Sequence, residues 1–115
     1  MNILEEYRKR KQALKDVQDL VMRFLRQYDI YSIETFMVLD TIIKNPGEPQ
    51  RKIAALTELS INTISTIVLS LVEKGYVTNE KDPNDTSERV LKRKLIKPTD
   101  KGLEVYNALE KLFTE

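Results

Sequence analysis

The sequence contains neither cysteine nor histidine. Without cysteine there is no disulfide, thiolate metal site or thiol redox chemistry, and without histidine the commonest general base and metal ligand is gone. These absences argue against a hydrolase or a transferase, and no metal or other cofactor is expected. No apolar run approaches the roughly 20 residues that cross a bilayer. The opening stretch from Met1 to Lys11 lacks the apolar centre of a secretory signal. A cytoplasmic location with no membrane partner is therefore expected. A clear excess of either charge is also missing, since 19 Lys and Arg face 18 Asp and Glu, a formal net charge of +1. Nucleic-acid-binding domains are commonly basic, so any case for such a partner has to come from how the charge is distributed. A length of 115 residues provides for a single domain, 1–115, built on one core.

The amino-terminal part has a helical rhythm. Tyr7, Leu14, Val17, Val21, Phe24 and Tyr28 recur at steps of three and four, with Leu20 and Leu25 widening the stripe. A helix of roughly 25 residues is long for so small a domain. Its upper half, from Ile3 to Leu14, has nothing of its own to cover it, so this helix is expected to lie against a partner subunit. Arg8-Lys9-Arg10-Lys11 reads as a solvated helix face. Asp29-Ile30-Tyr31 ends the helix and Ser32 can cap the next one, Ile33 to Lys44. In that helix Phe36, Met37, Val38, Leu39, Ile42 and Ile43 leave almost no polar side, as expected for the buried centre of the domain. Asn45-Pro46-Gly47-Glu48-Pro49 forms a turn, with proline close to the first position of the helix that follows.

Gln50 to Gly102 carries the densest information. A short helix from Gln50 to Leu56 places Ile53 and Leu56 on one face, with Ala54 small enough to let a second helix cross closely. After the turn Thr57-Glu58-Leu59-Ser60, Ser60 can cap the second helix by accepting from the N–H of Asn62 or Thr63. That helix, Ile61 to Lys74, sends Ile64, Ile67, Val68, Leu71 and Val72 to one side, and Gly75 closes it as the residue just past the cap. Asn62, Thr63, Ser65, Thr66, Leu69 and Ser70 remain for solvent or for a groove. Tyr76 to Glu80 and Val90 to Lys97 read as the two strands of a hairpin, and Lys81 to Ser87 as its polar tip. Pro98 to Gly102 leads into a last helix on which Leu103, Val105, Tyr106, Leu109, Leu112 and Phe113 form a stripe too wide for the domain alone. A two-fold dimer interface is expected to use Tyr7, Leu14, Val17 and Val21 of the first helix and Tyr106, Leu109 and Phe113 of the last. The fold class is mainly α with a small β-hairpin wing, a winged helix-turn-helix.

Charge is uneven along this region. Arg89, Lys92, Arg93, Lys94 and Lys97 occur with no acid among them, so the return strand of the wing can face phosphate. The alternative is a charged edge strand that discourages aggregation. Gln50, Arg51 and Lys52 stand where the first motif helix can hold a phosphate at the groove edge, together with Ser60. The second motif helix has no Arg or Lys from Ile61 to Leu71, which removes bidentate reading of guanine. Asn62 can pair with adenine; Thr63, Ser65, Thr66 and Ser70 can donate or accept; Ile61 and the threonine methyls can touch thymine. An A·T-rich site follows.

Several stretches together resemble the winged-helix core of MarR-type transcriptional regulators: Lys52-Ile53-Ala54, Ser60-Ile61-Asn62-Thr63-Ile64-Ser65, Leu71-Val72-Glu73-Lys74-Gly75-Tyr76-Val77, Asp82-Pro83 and Thr99-Asp100-Lys101-Gly102. The likeness covers about half the chain, and the short, SarA-like single-domain form is nearest, because no additional carboxy-terminal helix follows the last one. It implies a homodimer on a pseudo-palindromic operator, with the helix from Ile61 in the major groove and the wing reaching toward the minor groove. The wing is longer than the family pattern, and Asp85 and Arg89 stand four apart where the family has Asp-x-Arg. The minor-groove arginine role therefore falls to Arg89, Lys92 or Arg93. A ligand pocket at the dimer interface is not implied. The expected function is sequence-specific binding of double-stranded DNA by a homodimeric regulator of transcription acting as a repressor. A plasmid or phage DNA-binding adaptor, used in partition or replication, and a winged helix that binds only protein are the alternatives.

Overall fold

The computed structural model describes residues 2–85 and 94–114. In chain order its elements are α1 (Ile3–Leu25), a 3-10 turn (Arg26–Tyr28), α2 (Ile33–Lys44), α3 (Gln50–Thr57), α4 (Ile61–Glu73), β1 (Val77–Lys81), β2 (Lys94–Pro98) and α5 (Asp100–Thr114). This is the mainly helical winged helix-turn-helix that the sequence predicts. The chain divides into two compact units, Met1–Ser32 and Ile33–Glu115.

The first unit is one long helix with its ends closed by local chemistry. Asn2 Oδ1 accepts from the Glu5 N–H at 3.2 Å, and Glu6 pairs with Arg10 at 3.0 Å one turn on. Asp29 adopts a left-handed conformation (φ 61°), and the N–H groups of Asp29 and Ile30 return to the carbonyls of Arg26 and Leu25. That pair of bonds is a Schellman ending, here built on aspartate in place of glycine. It accounts for the break the sequence places at Asp29-Ile30-Tyr31, the final turn tightening to a 3-10 turn first. Leu25 and Ile30 are fully buried, whereas from Ile3 to Leu20 no side chain is.

In the second unit α2 touches α3, α4, α5 and β2 and so lies at its centre. Val38, Leu39 and Ile42 are its buried residues, but Met37 is largely exposed, so this helix keeps an open side that its apolar sequence does not suggest. Ile53, Ile64, Val68, Leu71, Tyr76, Val77, Ile96, Val105 and Leu109 supply the rest of the core from every other element of the unit. Each aliphatic side chain so buried contributes about 1.5–3 kcal/mol relative to exposure. Ile67 and Val72, which periodicity places inside with Ile64, lie at the margins of the stripe; Ile67 is half-buried and Val72 is 37% exposed.

β1 and β2 pair antiparallel, with Val77 opposite Pro98 and Lys81 opposite Lys94. The turn before α3 joins them: the Ile96 N–H donates to the Glu48 carbonyl at 3.0 Å and the Gly47 N–H to the Ile96 carbonyl at 2.8 Å. Gly47 has φ +82°, which a side chain would strain. α5 begins earlier than the sequence suggests. Thr99 Oγ1 accepts from the Gly102 N–H at 3.1 Å and caps it, so Asp100, Lys101 and Gly102 form its first turn and are not a lead-in.

Candidate nucleic-acid interface

α3 and α4 are bent by 114° from one another across a short turn, within the range of a helix-turn-helix. The turn is made by side chains. Thr57 Oγ1 donates to the Ile53 carbonyl at 2.8 Å, and Glu58 takes the left-handed conformation (φ 60°) that reverses the chain. Ser60 Oγ then accepts from the Thr63 N–H at 3.1 Å and donates to Thr63 Oγ1 at 2.8 Å, so the expected cap forms and occupies two of the proposed DNA-facing hydroxyls in each other. At the far end the N–H groups of Gly75 and Tyr76 return to the carbonyls of Val72 and Leu71, closing α4 on a left-handed glycine with φ +80°.

Ile64, Val68 and Leu71 hold α4 to the core, which leaves Ile61, Asn62, Thr63, Ser65, Thr66 and Leu69 on the exposed side; Ser70 is half-buried. Ile61 is 48% and Leu69 60% exposed, a large apolar area for a face that the sequence makes mostly polar. The hydroxyls are partly committed. Ser65 donates to Gln50 Oε1 at 2.9 Å, and Thr66 donates to the Asn62 carbonyl at 3.1 Å. Each keeps acceptor capacity but has spent its proton. Asn62 is different: its side-chain amide is exposed and makes no hydrogen bond among the described residues.

The cations fall into two groups. Arg51 and Lys52 are exposed in the first turn of α3 beside Gln50. Lys94 opens β2 and sits opposite Lys81 in the sheet register. Like charges directly opposite in a ladder repel, and an anion between them relieves the repulsion. Sequence pattern alone leaves Lys81 in the hairpin tip and outside the basic set; the register places it there. Arg89, Lys92 and Arg93, predicted in the wing, lie outside the described residues.

The residues expected at a dimer interface separate into two kinds. Tyr7, Leu14 and Val17 are exposed on α1, with Val21 half-buried below them, and Phe113 is exposed on α5. Tyr106 and Phe113 line an open groove with Phe36, beside which Asp40 pairs with Lys44 at 3.2 Å and raises the pKa of that lysine through its hydrogen bond and charge. Leu109 departs from expectation. It is only 5% exposed, so it serves the core of its own chain and offers little to a partner.

A family model described as winged helix-turn-helix DNA-binding matches residues 35–78, from α2 through α4 to the start of β1. No curated protein matches the sequence. Among solved structures, a mutant of MepR from S. aureus aligns over 98% of this chain and 77% of its own, at 23% identity and a TM-score of 0.78. The S. aureus MepR–DNA complex aligns over 95% of this chain and 82% of its own, at 24% identity and a TM-score of 0.72. A MarR protein from Peptoclostridium difficile aligns over 96% of this chain and 67% of its own, at 25% identity and a TM-score of 0.66.

Proposed function

We propose that this winged helix-turn-helix chain, similar in fold to MarR-type proteins, is a homodimeric regulator of transcription of that type that binds double-stranded DNA in a sequence-specific way and represses by occupying its operator. One observation carries this reading: α4 presents, opposite its core stripe, an exposed face of Ile61, Asn62, Thr63, Ser65, Thr66 and Leu69, on which Ile61, Leu69 and the Asn62 amide serve no buried contact among the described residues. In helix-turn-helix proteins the amino-terminal part of this helix meets base edges. Asn62, with an unspent amide, is suited to the N6 and N7 of adenine, and Ile61 to a thymine methyl. The site it prefers is therefore rich in A·T pairs.

Affinity without sequence preference comes from elsewhere. Arg51, Lys52, Lys81 and Lys94, with Arg89, Lys92 and Arg93 of the wing, would hold phosphates on either side of the groove, and Gln50 would add neutral amide donors. A near-neutral chain can bind a polyanion when its cations are grouped at the two edges of the reading helix. The apolar residues exposed on α1 and Phe113 on α5 support a second copy as partner, and a two-fold dimer reads an inverted repeat.

Selection from a random duplex pool by the purified protein tests the proposal. Enrichment of an A·T-rich inverted repeat with half-sites about 10 base pairs apart, or a multiple of that, is the expected result. Cooperative spreading over tandem repeats would instead indicate a DNA-coating adaptor. Absence of any salt-sensitive binding would overturn a role on DNA altogether.

A further inference from the structure

Three consecutive carbonyls leave the carboxy-terminal end of α4, and the start of α5 engages all of them. The Lys74 carbonyl accepts from Lys101 Nζ at 2.9 Å, the Gly75 carbonyl from Thr99 Oγ1 at 2.6 Å, and the Tyr76 carbonyl from the Thr99 N–H at 3.0 Å. The two segments are also pressed together. A Cβ on Gly102 would overlap the Tyr76 carbonyl oxygen, so only glycine permits this approach. Lys101 crosses the junction, with its Nζ 4.9 Å from the centroid of the buried Tyr76 ring. Its ammonium therefore meets the negative end of the α4 dipole and a ring face at once.

We propose that Lys101 is a positioning residue for DNA recognition, one that fixes the angle of α4 against α5 without touching DNA; the proposal rests on the DNA-binding reading given above. Thr99 and Gly102 belong to the backbone closure itself, and losing either disturbs the fold. Lys101 is exposed, and although its chain lies over the Tyr76 ring, a methionine there keeps an apolar chain of similar length over it. Removing its ammonium takes this donor from the Lys74 carbonyl and leaves the bonds from Thr99 and the close approach of Gly102 to join the two segments. A helix of 13 residues is about 20 Å long, and a tilt of about 5° at one end moves the other by about 1.7 Å. A displacement of that size separates Asn62 from a base edge, where hydrogen bonds tolerate only a few tenths of an ångström. In a two-fold dimer it also changes the distance between the two reading helices.

The test compares wild type, Lys101→Met and Lys101→Arg on four duplexes: the selected operator, the operator with one base pair inserted or removed between half-sites, and a scrambled sequence. Lys101→Met is expected to bind the operator about ten-fold more weakly, through loss of the aligned Asn62 contact in a reoriented α4. It should also discriminate less between correct and altered spacing, while affinity for scrambled duplex and the slope of log affinity against log salt stay unchanged. Lys101→Arg, which keeps the cation and its donors, should recover most of the loss. A salt slope reduced by about 0.9 would make Lys101 a phosphate ligand and overturn the proposal. Equal weakening on operator and scrambled duplex, or no change on either, would overturn it as well. If wild type itself selects no operator, the DNA-binding reading fails and this proposal with it; if wild type selects one and Lys101→Met matches it at every spacing, only the positioning role falls.

Discussion

Ser65 donates its hydroxyl proton to Gln50 Oε1 at 2.9 Å, tying the second turn of α4 to the first residue of α3. With its carbonyl oxygen held in this way, the Gln50 amide nitrogen faces away from Ser65 and keeps two donors for an outside acceptor. On the proposed DNA-binding reading, Ser65 acts through Gln50. Ser65→Ala and Gln50→Ala should each weaken binding to operator and to scrambled duplex by a similar factor. The double variant should be no weaker than Gln50→Ala, because the second change removes an interaction that is already gone. Titrations of the three variants on both duplexes check this; fully additive losses would separate the two residues.

Asn62 is the contrasting case. Asn62→Ala should cost about 1–3 kcal/mol on the preferred operator while leaving affinity for scrambled duplex and the salt slope nearly unchanged. Equal weakening on both duplexes would mean that Asn62 only seats the helix and that preference arises from the wing or from DNA shape.

For the wing, Lys81→Ala and Lys94→Ala are expected to reduce the magnitude of the salt slope by about 0.9 for each phosphate that the variant no longer holds. Each change also removes a like charge facing its neighbour in the sheet, so thermal stability without DNA should hold or rise slightly. A lowered melting temperature with an unchanged salt slope would show that these lysines serve the hairpin.

Association of two copies is tested on residues that are open to a partner. Leu14 is 59% and Phe113 55% exposed, and Leu14→Asp with Phe113→Asp should give folded monomers by sedimentation and circular dichroism. Leu109→Asp should unfold the protein, since it places a charge where 5% of the residue is exposed, at a cost of several kcal/mol. Wild type sedimenting as a monomer at micromolar concentration would end the dimer proposal.

Much of the fold can be read from the sequence where the determining chemistry is local. Ser60 caps α4, Gly75 ends it and Asp29 breaks the first helix, each through bonds to residues within five positions. Periodicity identifies a face without saying what covers it. Leu109 and Phe113 share a stripe one turn apart, yet one is core and the other exposed, and Val72 follows Leu71 into the pattern but not into the interior. Pairings distant in sequence escape altogether. Gln50 meets Ser65 across the turn, Lys81 meets Lys94 only once the hairpin register is set, and a turn as rich in proline and glycine as Asn45–Pro49 gives no sign that Glu48 pairs with Ile96. The candidate site therefore has its main helix where the sequence expects it and differs in its details: Ser65 and Thr66 spend their protons within the protein, and Leu109 is buried in its own chain.

The bonds from Ile96 to Gly47 and Glu48 have a mechanical consequence. Ile96 lies in β2, opposite Asn79 of β1, and turns its own N–H and carbonyl outward to the segment that enters α3. The wing is thus rooted at the doorstep of Arg51 and Lys52 and cannot swing there without dragging them. If the hairpin and α3 each grip a phosphate, as proposed above, the two grips are bolted to a common hinge pin, and the span between them would work as a fixed gauge for the width of the groove.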